Sequence, residues 1–208
     1  MSEKYKNKYR IPSTRLQNWD YGWNAAYFIT ICTKNRLHYF GSIENATPQL
    51  SKIGIIADIL WYEIKNHAKN IELGEFIAMP NHIHGILILN GNGKENAESR
   101  PALSSKSSKP DLTIGQKRLK NQGKNTVSSI IGGYKSAVTR HARRLGFEFA
   151  WQPRFWDHII RNEQEYNRIA QYIKNNPKKW NEDKLNGGKG NIVLDFHETY
   201  GEEDWMIT

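Results

Sequence analysis

A chain of 208 residues is long enough to bury one large core without disulfide bonds or structural metals. Thirty Lys and Arg against 21 Asp and Glu give a formal net charge of +9, and this excess favours a polyanionic partner. The sequence has no apolar stretch of the roughly 18 residues or more that a membrane span needs, and residues 1–10 lack the apolar core of a signal peptide. We therefore expect a cytoplasmic protein without a membrane partner. Cys32 is the only cysteine, which excludes an internal disulfide and a cysteine-based zinc site.

The first half of the chain alternates strand-like and helix-like patterns. Residues 25–33 are rich in β-branched and aromatic side chains and predict a buried strand. Ser51 then stands as the N-cap candidate of a helix, because apolar residues recur after it at three- and four-residue spacing. Those residues are Ile53, Ile56, Ala57, Leu60, Ile64 and Ala68. Two further apolar runs, 71–79 and 83–89, meet at the turn signal Pro80-Asn81 and predict neighbouring antiparallel strands.

The second half begins with a segment of different composition, residues 91–125, in which eight Lys or Arg accompany three Asp or Glu and no aromatic residue. We expect a flexible basic insertion that is either a solvated connector or a DNA-gripping segment. Helical spacing resumes over residues 127–145, and residues 155–160 predict a strand. A last helix over residues 163–176 ends before Pro177, which disfavours helical geometry at the preceding residue.

The order of the elements predicts the fold class. It is strand, helix, strand, strand, helix, strand, helix, and the first six elements match an α+β fold of the ferredoxin-like type. In that fold an antiparallel sheet carries helices on one face, and here an additional C-terminal helix follows. We predict one domain over residues 1–180 with the insertion at 91–125. The tail 181–208 has seven acids against two Lys, and it either covers a basic face or caps the domain.

Two histidines separated by one apolar residue form the first chemical motif. Because side chains alternate between the faces of a strand, His82 and His84 should share one face while Ile83 points to the core. Two imidazole nitrogens can hold a divalent cation and leave positions open for other ligands. Two exposed histidines that bind nothing are the alternative, so a second feature is needed to favour a metal site.

The last predicted helix supplies that second feature. Its apolar stripe consists of Tyr166, Ile169, Ala170 and Ile173. Tyr172 lies on the flank of this stripe, and Asn176 follows one turn later on the same flank. The Asn176 carbonyl oxygen can thus be a third metal ligand while the Tyr172 hydroxyl attacks a phosphorus atom. A phenol with a pKa of about 10 is a weak nucleophile at neutral pH, so a cation that withdraws charge from the phosphate would supply the missing reactivity.

Three sequence blocks carry a resemblance to a known family. They are Met-Pro-Asn-His-Ile-His at 79–84, Trp-Gln-Pro-Arg-Phe-Trp-Asp-His at 151–158, and Tyr-Ile-Lys-Asn-Asn-Pro at 172–177. With these blocks in this order, the chain resembles the IS200-like transposases of the single-tyrosine HUH class, especially the REP-associated tyrosine transposases. The resemblance covers about residues 20–180.

The resemblance assigns roles to four residues. It implies that His82 and His84 bind the metal, that Tyr172 is the nucleophile, and that Asn176 takes a ligand position where some relatives have Gln. It further implies cleavage of single-stranded, hairpin-containing DNA through a 5′-phosphotyrosyl link, with a free 3′-hydroxyl left for rejoining. We expect Mg²⁺ or Mn²⁺, because hard cations suit phosphate oxygens. A monomer and a homodimer that exchanges the tyrosine helix both stay open.

Side chains near these blocks are candidates for DNA contacts, because cationic groups bind phosphates and aromatic rings stack on bases. The candidates are Arg154, Arg161, Lys178, Lys179, Trp156 and His158. For His158, roles as a metal ligand, a general acid and a structural residue are alternatives, and its apolar strand neighbours favour structure or DNA contact. Tyr134 is a rival nucleophile, but its place on the apolar stripe of its own helix favours core packing.

Two other functions compete with a metal-dependent nickase and strand transferase. One is a non-catalytic binder of structured single-stranded nucleic acid. The other is a metal-dependent hydrolase in which bound water attacks the phosphate. A covalent DNA adduct that depends on Tyr172 distinguishes the transposase-like reaction from both.

Overall fold

The computed structural model describes the backbone of residues 4–5 and 8–9, residue 19, and residues 21–90 and 125–186. The predicted basic insertion therefore lies outside the described residues except for Asn125, and so does the tail beyond Asn186. Within the described ranges, no helix combines the length and the apolar character that crossing a bilayer demands.

The secondary structure follows the predicted order, with a few short additions. The strands are β1 Lys4–Tyr5, β2 Lys8–Tyr9, β3 Ala25–Cys32, β4 Gly41–Glu44, β5 Thr47–Leu50, β6 Ile71–Met79, β7 His82–Leu89 and β8 Trp156–Ile160. The helices are α1 Lys52–Tyr62, α2 Ile64–His67, α3 Val127–Arg144 and α4 Glu163–Asn175, and short 3₁₀ segments span Lys34–Arg36 and Asn176–Glu182.

The central sheet has four strands in the order β6-β7-β3-β8, and each neighbouring pair is antiparallel. With α1 between β3 and β6 and α3 between β7 and β8, this is the ferredoxin-like α+β arrangement that the sequence predicts. Thr30 of β3 pairs with His84 of β7 on one side and with Trp156 of β8 on the other. The first two blocks of the family resemblance are therefore neighbours across β3.

Each face of the sheet has its own apolar core. On one face, β3 and β7 residues such as Ile29 and Leu87 belong to a cluster with residues of α1 and α3, including Trp61 and Val138. On the opposite face, Phe28, Ile86 and Ile160 pack with α4 residues Ile169, Ala170 and Ile173. Because strand side chains alternate, the even-numbered residues of β7, His82 and His84 among them, lie on the α4 face.

Two local features differ from the expectation. The predicted helix 53–68 is interrupted at Glu63 and continues as the short α2. The hairpin of β4 and β5 was not predicted; its turn residues Asn45 and Ala46 have φ of 50° and 59°. Such a pair of left-handed residues matches the twist of a two-residue hairpin turn, but a turn without Gly gives a weak sequence signal. Ser51 does cap α1, where its Oγ accepts a hydrogen bond from the Gly54 N–H at 3.0 Å.

Candidate active site

The histidine pair lies at the start of β7, and both side chains are fully buried. The two ring centroids are 4.5 Å apart, so the rings line one small region on the α4 face of the sheet. The prediction that both rings share a face is confirmed. The alternative of two exposed strand-end histidines does not describe this site.

The hydrogen bonds around His82 define which of its nitrogens carries a proton. Its Nδ1 lies 2.8 Å from Asn81 Oδ1, and the Asn81 amide nitrogen donates to the Leu185 carbonyl at 2.7 Å. Asn81 Oδ1 can only accept, so His82 Nδ1–H is the donor. His82 Nε2 then carries a lone pair, and it is buried without a hydrogen-bond partner.

His84 is also held by a hydrogen bond at its Nδ1. Its Nδ1 lies 2.8 Å from Thr30 Oγ1, and its Nε2 lies 3.4 Å from the Tyr172 hydroxyl. A phenol donates most readily, so Tyr172 Oη–H faces the lone pair of Nε2, and Nδ1–H donates to Thr30. Both imidazoles thus turn an unprotonated Nε2 to the interior. A carbonyl or hydroxyl on Nδ1 is the support that metal-binding histidines commonly have.

Burial keeps both imidazoles neutral. It lowers the pKa of His84 to about 3. It also places the pKa of His82 well below the ordinary value, with smaller electrostatic contributions from His84, Arg36 and His38 in the same direction. Both rings are therefore neutral at neutral pH, and a cation would not have to displace an extra proton from either of them.

Helix α4 is anchored at several points, and these contacts define the position of Tyr172. Its stripe is buried as predicted, with Ile169 and Ile173 each 1% exposed. At the start of the helix, the Glu165 N–H donates to the capping Asn162 Oδ1, and the Glu165 carboxylate accepts a hydrogen bond from the Arg161 N–H and lies 2.8 Å from His158 Nε2 of β8. Near the end, Lys174 Nζ lies 3.0 Å from Glu75 of β6. The helix therefore delivers the phenol to His84 from within the same chain.

Asn176 follows α4 directly, and its side chain interacts with Asp183, which lies 3.8 Å from His82. The residue is 3% exposed, and its Oδ1 has no hydrogen-bond partner. No group of three or more His, Cys, Asp or Glu side chains within the described ranges is arranged to hold a metal ion. A ligand shell built on His82 and His84 would therefore draw on amide oxygen as well.

A carboxylate that the sequence interpretation assigned to the tail also reaches this region. Asp183 Oδ2 lies 3.8 Å from His82 Nε2, and its side chain is only 7% exposed. Burial raises the pKa of Asp183, while the Leu185 N–H, Arg36 and Asn176 act in the opposite sense. The packed part of the chain thus continues past residue 180 to Asn186. No sequence pattern indicated that Asp183 would approach the histidines. The apolar residues on either side of it, Trp180 and Leu185, are both buried.

The predicted DNA contacts fall into two groups by location. Arg154, Lys178 and Lys179 are exposed and belong to segments that border the histidine end of the sheet. Arg161 is exposed beyond Ile160, at the opposite end of β8. Their role in DNA binding stays a prediction.

Trp156 and His158 of β8 lie on the α4 face of the sheet. The Trp156 ring meets Phe28 edge-on at 5.4 Å and stacks with His158 at an interplanar angle of 8°. His158 in turn contacts Glu165. These contacts give both residues a structural role, and a role in DNA contact stays a prediction.

The rival tyrosine belongs to the core. Tyr134 is 4% exposed, and its hydroxyl donates to the Ala57 carbonyl at 2.9 Å, which joins α3 to α1. Burial, with a further contribution from Asp58, raises the pKa of Tyr134 well above its usual range. Such a phenol is a poor candidate for a nucleophile.

Two known proteins are similar to this chain in sequence. The chain is 35% identical over 175 residues to an uncharacterized protein of Haemophilus influenzae, a match that covers 83% of this chain and 91% of that protein. It is 50% identical over 58 residues to the REP-associated tyrosine transposase of Escherichia coli, covering 28% of this chain and 33% of that protein. No protein-family model matches the chain.

A solved structure is also similar to this chain. It is that of a REP-associated tyrosine transposase bound to a REP hairpin, with 21% sequence identity and a TM-score of 0.49, over 77% of this chain and 71% of that one. The chain belongs to the same family as the Haemophilus influenzae protein, which it matches over most of both lengths. Its match to the REP-associated tyrosine transposase is confined to 58 residues.

Proposed function

We propose that this protein is a metal-dependent nickase and strand transferase that acts on single-stranded, hairpin-containing DNA. The observation that carries the proposal is the approach of the Tyr172 hydroxyl to within 3.4 Å of the unprotonated His84 Nε2. A half-buried nucleophile candidate contacts one of two buried, neutral imidazoles, and Asn176, one helical turn after it, has a buried amide oxygen without a hydrogen-bond partner. The local sequence match to a REP-associated tyrosine transposase and the net charge of +9 support DNA as the substrate.

The residues present fit a divalent cation, because the buried lone pairs of His82 Nε2 and Asn176 Oδ1 lack hydrogen-bond partners. His82, His84 and Asn176 would hold Mg²⁺ or Mn²⁺. Such an ion withdraws charge from a phosphate oxygen and so makes the phosphorus more electrophilic. The cation itself is part of the proposal.

Tyr172 performs the covalent step. Its Oη loses a proton and attacks the scissile phosphorus, the bond to the 3′ oxygen breaks, and that oxygen leaves as a hydroxyl after taking up a proton. The 5′ phosphate stays on the tyrosine as a phosphodiester. Because this bond is not hydrolysed, it can be exchanged again when the strands are rejoined. Attack by a 3′-hydroxyl on the same phosphorus reverses the step and joins strands. Phe28, edge-on to the phenol at 6.1 Å, restricts the ring.

The test is the formation of a covalent adduct. The full-length protein is incubated with a 5′-labelled and, separately, a 3′-labelled hairpin oligonucleotide and Mn²⁺, and denaturing gels are read for label that migrates with the protein. We expect an adduct with the label 3′ of the cut only, because the 5′ phosphate becomes attached. Tyr172→Phe should abolish the adduct, since it removes only the hydroxyl.

Tyr166→Phe is the matched control. Tyr166 lies on the same helix, about one and a half turns earlier, and packs with the same cluster, so its substitution should leave the adduct intact. An adduct that persists in Tyr172→Phe would contradict the nucleophile assignment. Cleavage without adduct would favour the hydrolase, and salt-sensitive hairpin binding with neither product would favour the non-catalytic binder.

A further inference from the structure

A groove of about 510 Å³ lies along α3, on the face of the sheet opposite to α4. Four cationic side chains line it from the helix, and the indole of Trp151 lines it from the segment before β8. The four are Lys135, Arg140, Arg143 and Arg144. None of the described residues that line the groove is acidic. The groove is therefore a strongly positive surface that is separate from the histidine site.

The three arginines of the groove are exposed and lie close together on the helix. Arg143 and Arg144 follow Arg140 by three and four residues, so their side chains are neighbours of the Arg140 side chain. None of the ion pairs formed within the described ranges involves these arginines. Like charges at this spacing repel one another. An external anion that binds in the groove would relieve this repulsion.

The helix dipole accounts for only part of this positive charge. Cations in the last turn of a helix interact favourably with its carbonyl end, and the effect falls off within that turn. Arg143 and Arg144 lie in the last turn of α3. Arg140 and Lys135 lie about one and two and a half turns before the last residue. A bound polyanion would account for the continuation of the charge along the helix.

Hydrogen bonds in both directions hold the two walls of the groove together. The Trp151 Nε1–H donates to the Lys135 carbonyl at 3.0 Å. The Lys135 ammonium in turn donates to the Gln152 and Arg154 carbonyls at 2.8 and 2.7 Å. Trp151 is half-buried, so part of its ring is accessible from the groove. A groove with fixed walls requires little ordering when a ligand binds.

The Trp151 wall lies at the same end of the sheet as the histidine pair. Trp151 forms a β-bridge with Thr33, the residue that follows β3. The Thr33 N–H and hydroxyl both donate to the Asn81 carbonyl at 2.9 Å, and the Asn81 side chain is hydrogen-bonded to His82. A DNA strand that leaves the histidine site over this end of the sheet would therefore meet the groove.

We propose that the α3 groove binds an unpaired segment of DNA that flanks the hairpin, with the arginines on its phosphates and Trp151 against a base. This inference rests on the proposed function and adds a binding surface on the opposite face of the sheet from Tyr172. Guanidinium groups form strong, charge-assisted hydrogen bonds with phosphates. A positive groove with an aromatic side chain is typical of proteins that bind single strands, because an unpaired base can stack on the ring.

The test compares hairpins that differ only in their ends. Full-length protein is titrated in EDTA, which prevents cleavage, and binding is followed by fluorescence anisotropy. The ligands are a blunt hairpin, the same hairpin with about ten unpaired nucleotides added on either side, and a hairpin with a correspondingly longer stem. We expect an unpaired extension to lower the dissociation constant roughly tenfold, which is the typical effect of one stacked base. The longer stem should change it less than about twofold, because its bases are not free to stack.

The Arg140→Gln, Arg144→Gln double variant tests the groove itself. We expect it to lose most of the gain from the unpaired extension. Its slope of log affinity against log salt should fall by about 1.4 for the extended hairpin, because each phosphate contact with a single strand contributes about 0.7. Affinity for the blunt hairpin should stay nearly unchanged, whereas general damage to the fold would weaken both ligands alike.

The Lys65→Gln, Lys69→Gln double variant is the matched control. It removes two exposed positive charges next to the start of β6, and that strand pairs there with Leu89, at the opposite end of β7 from His82. This variant should keep the full gain from the extension. Equal gains in the two double variants would overturn the groove as the binding site. A gain from the longer stem as large as that from the unpaired extension would overturn the single-stranded ligand.

The outcomes separate this inference from the proposed cleavage. If the unmodified protein forms the covalent adduct but gains nothing from an unpaired extension, the inference is wrong and the cleavage stands. If it forms no adduct but loses the gain from the extension in the Arg140→Gln, Arg144→Gln variant, the cleavage is wrong and the groove stands. An adduct together with that loss supports both.

Discussion

At the scale of single residues, the two imidazole rings are oriented by the side-chain oxygens that accept their Nδ1–H groups. Each histidine uses Nδ1 for a protein hydrogen bond, His82 to Asn81 and His84 to Thr30. These bonds select the tautomer whose Nε2 is free of a proton and aim that nitrogen at the phenol or at Asp183. The supporting oxygens are therefore part of the chemistry even though they contact neither metal nor DNA.

Thr30→Val tests this orienting role. Thr30 is fully buried, and valine has a similar shape but cannot accept the His84 Nδ1–H. An unsatisfied buried donor costs about 1–3 kcal/mol of unfolding free energy, and we expect Mn²⁺ affinity to fall roughly 10- to 100-fold. Thr30→Ser restores the hydroxyl and should recover most of the metal affinity. Equal affinity in the Val and Ser variants would show that the hydroxyl does not orient the ring.

The same scale shows what the sequence could and could not predict. His82, His84, Tyr172 and Asn176 follow the periods of a strand and a helix, so their faces were predictable from spacing. Asp183 follows no period, because it lies in a short polar segment whose path depends on where Trp180 and Leu185 find apolar partners. Such tertiary folding leaves no local pattern, and the acidic composition left open whether the tail covers a basic face or caps the domain.

At the scale of elements, strand β7 packs against α4 on one face of the sheet and against α1 on the other. His82 and His84 of β7 face α4, while Gly85 faces α1. The Trp61 indole of α1 stacks on Phe76 with ring centroids 4.7 Å apart and covers the place where a side chain at 85 would lie. The histidine strand can approach α1 closely because this position has no Cβ.

Gly85→Ala should destabilise the fold through this contact. A Cβ at residue 85 would lie 2.3 Å from a carbon of the Trp61 ring, so either the indole or the strand must move. We expect a loss of about 1–3 kcal/mol in the free energy of unfolding, measured by urea denaturation. Gly133→Ala, at an exposed position of α3, is the control, because a Cβ there meets nothing within 4 Å. This variant should have a free energy of unfolding about 0.5–1 kcal/mol higher than that of the unmodified protein. A neutral Gly85→Ala would mean that Trp61 is free to repack.

At the scale of the whole molecule, the positive charge is distributed over both ends of the sheet. The net charge of +9 promotes association with any polyanion, so charge alone does not say where DNA lies. The register of β3 and β8 does discriminate between candidates. Trp156 is level with His84, whereas Arg161 follows Ile160 about 17 Å further along the strand. Lys178 and Lys179 follow Asn176 within one turn.

The salt dependence of hairpin binding should therefore differ between these lysines and Arg161. Each phosphate contact with single-stranded DNA contributes about 0.7 to the slope of log affinity against log salt. If both lysines bind phosphates beside the scissile bond, the Lys178→Gln, Lys179→Gln double variant should lose about 1.4 of slope. Arg161→Gln should lose clearly less than one contact, because its position lies a full strand length from the nucleophile. The comparison is made by fluorescence anisotropy from 50 to 200 mM salt, and equal losses in the two variants would place DNA along the whole of β8.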